Sequence, residues 1–188
     1  MRPATPEDAA VVVRLMYTAI GAIAHTLAGT PDKAEALRVL ESFFRQAHNR
    51  VSHQHVAVHE EAGRVVGFVS AYAGAQAAAL DRPFIERLHA LGLDASGILP
   101  EAREDEYYLD SLAVDASHQG QGLGTRLLSA FEAQAARLGH KKLLLLVDQD
   151  NPKARRLYAR LGYHPDGTLD LSGHVYDRMV KEPVRRRA

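Results

Sequence analysis

The chain reads as an α/β domain in which helices pack on a mixed sheet. Three observations predict this. Helix-spaced apolar stretches and short strand-like runs follow one another in the order helix, helix, strand, strand, strand, helix, strand, helix, strand. Lys142 to Val147 holds five consecutive apolar residues, the pattern of a strand covered on both faces. With 188 residues and 46% hydrophobic composition, the chain can bury one core without disulfides or metals.

Thr5-Pro6-Glu7-Asp8 offers a cap, a proline at the first helical position and acids in the first turn. Val12, Leu15, Met16, Ala19 and Ile23 continue that helix. A second helix is expected to open near Thr30-Pro31-Asp32 and to bury Leu37, Leu40, Phe44 and Ala47. Val56-Ala57-Val58 and Val65 to Val69, around Glu61-Ala62-Gly63-Arg64, predict an antiparallel hairpin. Residues 74–104 are Ala- and Gly-rich and read as an irregular insertion or elaborated connection, with a short helix from Pro83 to about Leu91.

Tyr107 to Val114 is expected to be a strand, and a glycine-rich loop then leads into a helix with Leu123, Leu127, Leu128, Phe131, Ala135 and Leu138 on one side. Gly139 closes that helix, and Pro152 opens another that ends at Gly162. Tyr163 to Lys181 reads as one or two strands. The expected organisation is a single domain over residues 1–183, followed by a basic tail at 184–188 in which Arg185-Arg186-Arg187 is disordered and solvated.

Charge and composition narrow the function. Lys plus Arg and Asp plus Glu each number 23, so no overall field argues for nucleic acid or an anionic membrane as partner. There is no cysteine, and hence no thiolate metal site or cysteine nucleophile. No signal peptide or membrane-spanning run is evident, so a cytoplasmic protein is expected. His53, His55 and His59 would share a face only if their strand reached back that far. Their spacing is loose and no acid is paired with them, so a solvated strand edge, not a metal site, is expected.

The segment Gln119-Gly120-Gln121-Gly122-Leu123-Gly124 is the most informative on the chain. Its glycines allow successive main-chain N–H groups to converge, and the following helix adds unpaired N–H groups and a positive dipole end: an anion cradle. A nucleotide P-loop would need a lysine after the last glycine, where Thr125 stands. A dinucleotide fold would also want a glycine at Thr125, and its first glycine directly after the strand, whereas Asp115 to Gln119 intervene. Asp148 alone fits that alternative.

The loop matches the pattern Q/R-x-x-G-x-G/A of the GNAT superfamily of N-acetyltransferases at Gln119, Gly122 and Gly124, after the strand end Leu112-Ala113-Val114. Asn151 to Tyr163 resembles the same family's N-x-x-A-x-x-L-Y-x-x-x-G-F/Y segment, in the family's order and spacing. The resemblance is specific over residues 107–163 and weak elsewhere. It implies a mixed, mostly antiparallel sheet flanked by helices, with a splayed central strand pair.

It also implies an enzyme that transfers an acetyl group from acetyl-CoA to an amine, with no metal. The pyrophosphate would sit on N–H groups from Gln119 through Gly120, Gln121, Gly122, Leu123 and Gly124 to Thr125. The pantetheine arm would lie along Leu112, Ala113 and Val114, and the Asn151 amide would add a contact. Tyr158 stands where the family places its general acid, and a main-chain N–H near Val114 is its usual oxyanion donor.

For the base, Asp110 and Glu106 both precede the strand end. In a regular strand they would share a face with Tyr108 and Leu112, and Asp110 is the nearer to the expected thioester. Without a cysteine, direct attack in a ternary complex is expected. A non-catalytic acyl-CoA or nucleotide-binding sensor is the alternative. The acidic run Glu101, Glu104, Asp105, Glu106 suggests a cationic acceptor or, more plainly, a charged surface loop. The residues leave a small-molecule amine and a peptide amine equally open, and homodimerisation, common in the family, is not legible in them.

Overall fold

The computed structural model describes residues 1–183; the basic tail expected at 184–188 lies outside the described residues. One seven-stranded sheet runs through the molecule in the order β1-β2-β3-β4-β5-β7-β6. Its strands are β1 (Arg2–Pro3), β2 (Val56–Glu61), β3 (Arg64–Ala73), β4 (Tyr107–Val114), β5 (Leu143–Asp148), β6 (His164–Leu171) and β7 (His174–Lys181). Every neighbouring pair is antiparallel except β4 and β5. The mixed, mostly antiparallel sheet flanked by helices is therefore observed.

The helices are α1 (Ala9–Ile20), α2 (Ala22–Ala28), α3 (Lys33–Arg45), α4 (Ala77–Ala90), α5 (Leu123–Arg137) and α6 (Pro152–Arg160). One core packs α1 to α4 on one face of the sheet, through Val12, Met16, Leu40, Phe44, Phe68 and Phe84. A second packs α5 on the opposite face, through Leu127, Phe131, Leu109, Leu143 and Leu145, and α6 leans on its edge with Ala154, Tyr158 and Leu161. Among the described residues no single helix is long and apolar enough to cross a membrane.

Four expectations need correction. The first helix is two: Gly21 takes φ 50 and ψ −119, conformations that cost a glycine little, and the axis turns by 118° between α1 and α2. Ala47 lies beyond the end of α3. Residues 74–104 hold a longer helix than expected, because α4 starts at Ala77 and carries Pro83 in its interior. The buried stripe Ala77, Leu80, Phe84 and Leu88 offsets the main-chain hydrogen bond that the proline removes. As the reading of one or two strands allowed, Tyr163 to Lys181 holds two, turned at Ser172 and Gly173, both with positive φ.

The fourth correction concerns β4. Ser111 pairs with Ser70 and Leu109 with Ala71, so Asp110 is an extra residue, a bulge. Tyr107 and Leu109 face the α5 core before it, and Leu112 and Val114 face that core after it. Asp110 thus keeps to the side of Tyr108, and Leu112 is switched to the opposite face.

Candidate active site

The central feature is a gap in the sheet. Strands β4 and β5 pair only at Tyr107 with Leu143, Tyr108 with Leu144 and Leu109 with Leu145. Beyond that point β4 stays on β3 as far as Val114, and β5 stays on β7 as far as Asp148. The two parallel strands therefore part like a V, with the Asp110 bulge at its vertex. Asp115 N–H donates to Val66 on the β3 side at 2.8 Å, so alternation along the strand turns the main-chain groups of Leu112 and Val114 toward the gap.

At the open end of β4 the chain makes one short turn and enters the glycine loop. Gly120 has φ 77 and Gly122 has φ 78, the left-handed region in which other residues are strained. A methyl group on either would meet no neighbour, so the requirement is conformational and leaves the loop's face open. Gly122 is the N-cap of α5 and no side chain caps it. Among the described residues, the main-chain N–H groups of Gly120 to Thr125 find no acceptor. Six main-chain donors without an acceptor thus stand at the start of a fifteen-residue helix, whose N-terminus favours negative charge. Gln119 is turned away from it: its Nε2 donates to Val114 O at 3.1 Å and ties the loop to the strand end.

On the far side of the gap, Asn151 caps α6, with Oδ1 accepting from Ala154 N–H at 3.1 Å. Its side-chain carbonyl is thus engaged structurally, and its NH2 group has no partner among the described residues. Two turns on, Tyr158 packs against the α5-side core, edge-on to Tyr163 at 6.1 Å between ring centroids. Burial pushes its phenol up from the ordinary value, so it holds its proton through neutral pH. Its hydroxyl donates to no described residue.

The two acids singled out as bases have different surroundings. Glu106 is fully buried and accepts from Arg178 Nη2 at 2.7 and 2.8 Å and from Arg103 N–H at 2.7 Å, with Lys142 Nζ at 3.1 Å. Burial alone would raise its pKa, but these donors outweigh it and hold the carboxyl below its ordinary value. Both oxygens are occupied. Asp110 accepts from Arg50 Nη2 at 2.6 Å and Nε at 3.2 Å, both at Oδ1, which leaves Oδ2 without a hydrogen bond among the described residues.

Arg50 was not visible as a site residue. It is 4% exposed and also reaches Glu101 at 2.7 Å and Asp81 at 3.3 Å. Tyr108 O–H donates to the other oxygen of Glu101. Burial raises the Asp81 carboxyl to about 6 against the pull of Arg50. The acidic run is therefore split: Glu101 and Glu106 are buried on two different arginines, and Glu104 and Asp105 are exposed. One local signal for this network existed. Asp81 sits at helical spacing inside the apolar stripe of α4, where a carboxylate needs a buried partner.

Glu101, Tyr108, Asp110 and Arg50 line a cavity of about 50 Å³ together with Ile20, Ile23, Leu27, Leu146 and Tyr176. The turn at Gly21 brings these helical residues over the sheet. Thr26 of α2 is tied across to Ser172 of the β6–β7 turn at 2.7 Å. Asp110 sets the cavity beside the vertex of the V, and Ile20, Ile23 and Leu27 set it on the face opposite α5. The histidines go elsewhere: β2 begins only at Val56, His53 contacts Phe44 O, His55 packs on Tyr72, and His59 pairs with Glu61.

Comparison with known proteins agrees with this geometry. A crystal structure of an acetyltransferase superposes with a TM-score of 0.77 at 32% identity, covering 97% of this chain and 98% of that one. An N-acetyltransferase of Staphylococcus aureus Mu50 superposes with 0.75 at 27% identity, covering 96% and 98%. The spermine/spermidine N(1)-acetyltransferase of Bacillus subtilis (strain 168) is 36% identical over 97 residues, which are 49% of this chain and 62% of that protein, less than two thirds of its length. The profile of the acetyltransferase (GNAT) family matches residues 22–163, a span that contains the strand gap, the glycine loop and Tyr158. This chain belongs to the GNAT acetyltransferase family.

Proposed function

We propose that this protein transfers the acetyl group of acetyl-CoA to the amine of a small molecule, by direct attack within a ternary complex. The observation that carries this reading is the V between β4 and β5, with a donor-rich loop at one end and a protonated phenol beside it. Acetyl-CoA would supply the activated acyl group. The N–H groups of Gly120 to Thr125 would hold its pyrophosphate, and the main chain of Leu112 and Val114 would pair with its amide-bearing arm as a strand would. The Asn151 NH2 would add a contact from the β5 side.

The remaining chemistry is proton management. An amine arrives mostly as ammonium and must lose a proton before its nitrogen can bond to the acyl carbon. Asp110 is the base in our reading because its Oδ2 is unoccupied at the vertex, whereas Glu106 is saturated by Arg178, Lys142 and Arg103 and holds the fold. A main-chain N–H near Val114 would meet the charge that develops on the acyl oxygen. As the carbon–sulfur bond breaks, Tyr158 would give its proton to the thiolate.

The name of the Bacillus subtilis relative supports a small-molecule polyamine acceptor over a peptide. Thiol release from acetyl-CoA with a panel of amines tests the reading, with acetyl-CoA binding measured alongside. Release with at least one amine class and intersecting initial-rate lines are expected. Binding without release for every class would favour a sensor, and parallel lines would rule out the ternary complex. Replacing Tyr158 by Phe should lower kcat by on the order of 100-fold with acetyl-CoA affinity little changed.

A further inference from the structure

We propose that Lys153 and Arg156, on the first two turns of α6, form the subsite for the 3′-phosphate of CoA and make the protein select CoA over its dephospho form. This rests on the reading of acetyl-CoA as the donor and names residues and a specificity within it. Charge carries the argument. Helix α6 holds Lys153, Arg155, Arg156 and Arg160 in nine residues with no acid, on a chain whose cationic and acidic residues each number 23. Arg155 is engaged, with its Nε on Asp177 of β7 at 2.5 Å. Among the described residues the other three form no ion pair, and all three are exposed. Lys153 also stands in the first turn, where the positive end of the helix disfavours a cation. Like charges at these spacings repel, and an anion from outside offsets that cost.

Helical spacing sets the direction. Ala154, Tyr158 and Leu161 pack on the α5-side core, and Arg155 lies on the flank of that stripe that faces β7. Lys153 falls on the opposite flank, and Arg156, one turn on, shares that side. Strands β4 and β7 lie on opposite sides of β5, on which α6 packs, so this flank borders the gap. Because β4 and β5 are parallel, α5 and α6 start at the same end of the sheet. The acids that precede α6, Asp148 and Asp150, gather on His174 of β7, with carboxylate and ring-nitrogen atoms within 4.8 Å of one another, and leave the gap flank to the cations.

The phosphates of CoA differ in what they need. Gln119 to Thr125 offers main-chain N–H donors but no cationic side chain, and in the proposed function these donors hold the pyrophosphate. The 3′-phosphate is a monoester with a second pKa of about 6, so it carries close to two charges at neutral pH and calls for formal cations. Lys153 and Arg156 supply them from the other bank of the gap. Arg126, exposed on α5, is the rival. Glu132, paired with Lys181 of β7 at 2.8 Å, marks the flank of α5 toward α6, and helical spacing puts Thr125 and Ser129 on that flank but not Arg126.

Calorimetry at low salt compares CoA with 3′-dephospho-CoA, on the parent and on Lys153→Gln/Arg156→Gln, in which both exposed side chains are neutral. The parent should bind CoA on the order of 30-fold more tightly, and the double variant should bring the two ligands within about threefold by weakening CoA alone. Arg137→Gln, at the far end of α5, should keep the parent's ratio, and Arg126→Gln should change it by less than about twofold. Equal binding of the two ligands by the parent overturns the subsite and leaves the acetyl-CoA reading standing. A ratio that survives the double variant, or that Arg126→Gln erases instead, overturns it too. Failure of both ligands to bind overturns the acetyl-CoA reading and the subsite with it.

Discussion

Two buried arginines anchor this sheet, and they are furnished in opposite ways. Arg178, on β7, meets Glu106 closely and Asp166 at 3.8 Å, and the two acids share Lys142, Arg103 and a main-chain N–H with it. Cations and donors there exceed the negative charge. Arg50 meets three carboxylates, and negative charge exceeds its own. A saturated network can only hold elements together, here the 101–106 segment against β7 through Arg178 Nη1 on Glu101 O at 2.7 Å. An unsaturated one, bordering a cavity, is poised to take up a proton or a cation. Two acids four residues apart, Glu106 and Asp110, thus differ in their free capacity: the first has both oxygens engaged, and the second keeps Oδ2 without a hydrogen bond among the described residues.

The sharpest way to break this comparison is to neutralise one acid of each network. Asp110→Asn should lower kcat/KM for the acceptor by on the order of 1000-fold, with acetyl-CoA binding retained, because the base is lost while Arg50 keeps an oxygen partner. Steady-state kinetics with whichever amine the acceptor panel shows to be preferred checks this. Activity within tenfold of the parent would move the base elsewhere. Glu106→Gln should act on stability, costing about 3 kcal/mol in denaturant unfolding because Arg178 loses its close, buried charge partner and keeps only the more distant, part-exposed Asp166. The folded fraction should keep its turnover. A large fall in kcat without loss of stability would put Glu106 back among the candidate bases.

The two networks should also respond to pH with opposite sign. The Asp81 carboxyl is raised by burial from 3.8 to about 6, so the native state keeps a proton that the unfolded chain has released. Stability from this group falls as pH rises through that window, and the loss is complete above it. Glu106 is held low, so its contribution is present above the ordinary carboxylate range and is lost on acidification through its lowered pKa. Asp81→Asn should therefore gain on the parent in melting temperature as pH rises from 4 to 7, whereas Glu106→Gln should lose ground over the upward course of an acid titration. Parallel profiles for the two variants would mean that the networks do not differ in charge balance.

What could be read from the chain follows the same division. The proposed donor side of the site is written in nearby residues: the glycines at 120, 122 and 124 run from the loop after a strand into the first turn of a helix, and Asn151 caps the short helix that carries Tyr158. Local spacing suffices for such features, and the sheet class followed from the order of the elements. The acceptor side is assembled from residues 50, 81, 101 and 110, which only the tertiary fold brings together. Its geometry also depends on a bulge at Asp110, which appears only when β4 is set against β3, and on the turn at Gly21. A regular-strand reading therefore put Leu112 on the wrong face, and no local pattern announced Arg50.

The smallest expected effect sharpens the boundary of the Arg50 network. Glu104 and Asp105 belong to the same acidic run as Glu101, yet both are exposed, and no ion pair involves either among the described residues. Solvent and salt screen such charges over roughly 8 Å at physiological ionic strength. Reversing Glu104 to Lys should change unfolding free energy by no more than about 0.5 kcal/mol and the acceptor KM by less than about twofold. The measurement is best made at low and high salt, since a steering contribution would appear only at low salt, in the apparent second-order rate. If Glu104→Lys instead raised the acceptor KM severalfold at low salt, the exposed acidic surface would take part in drawing the acceptor in.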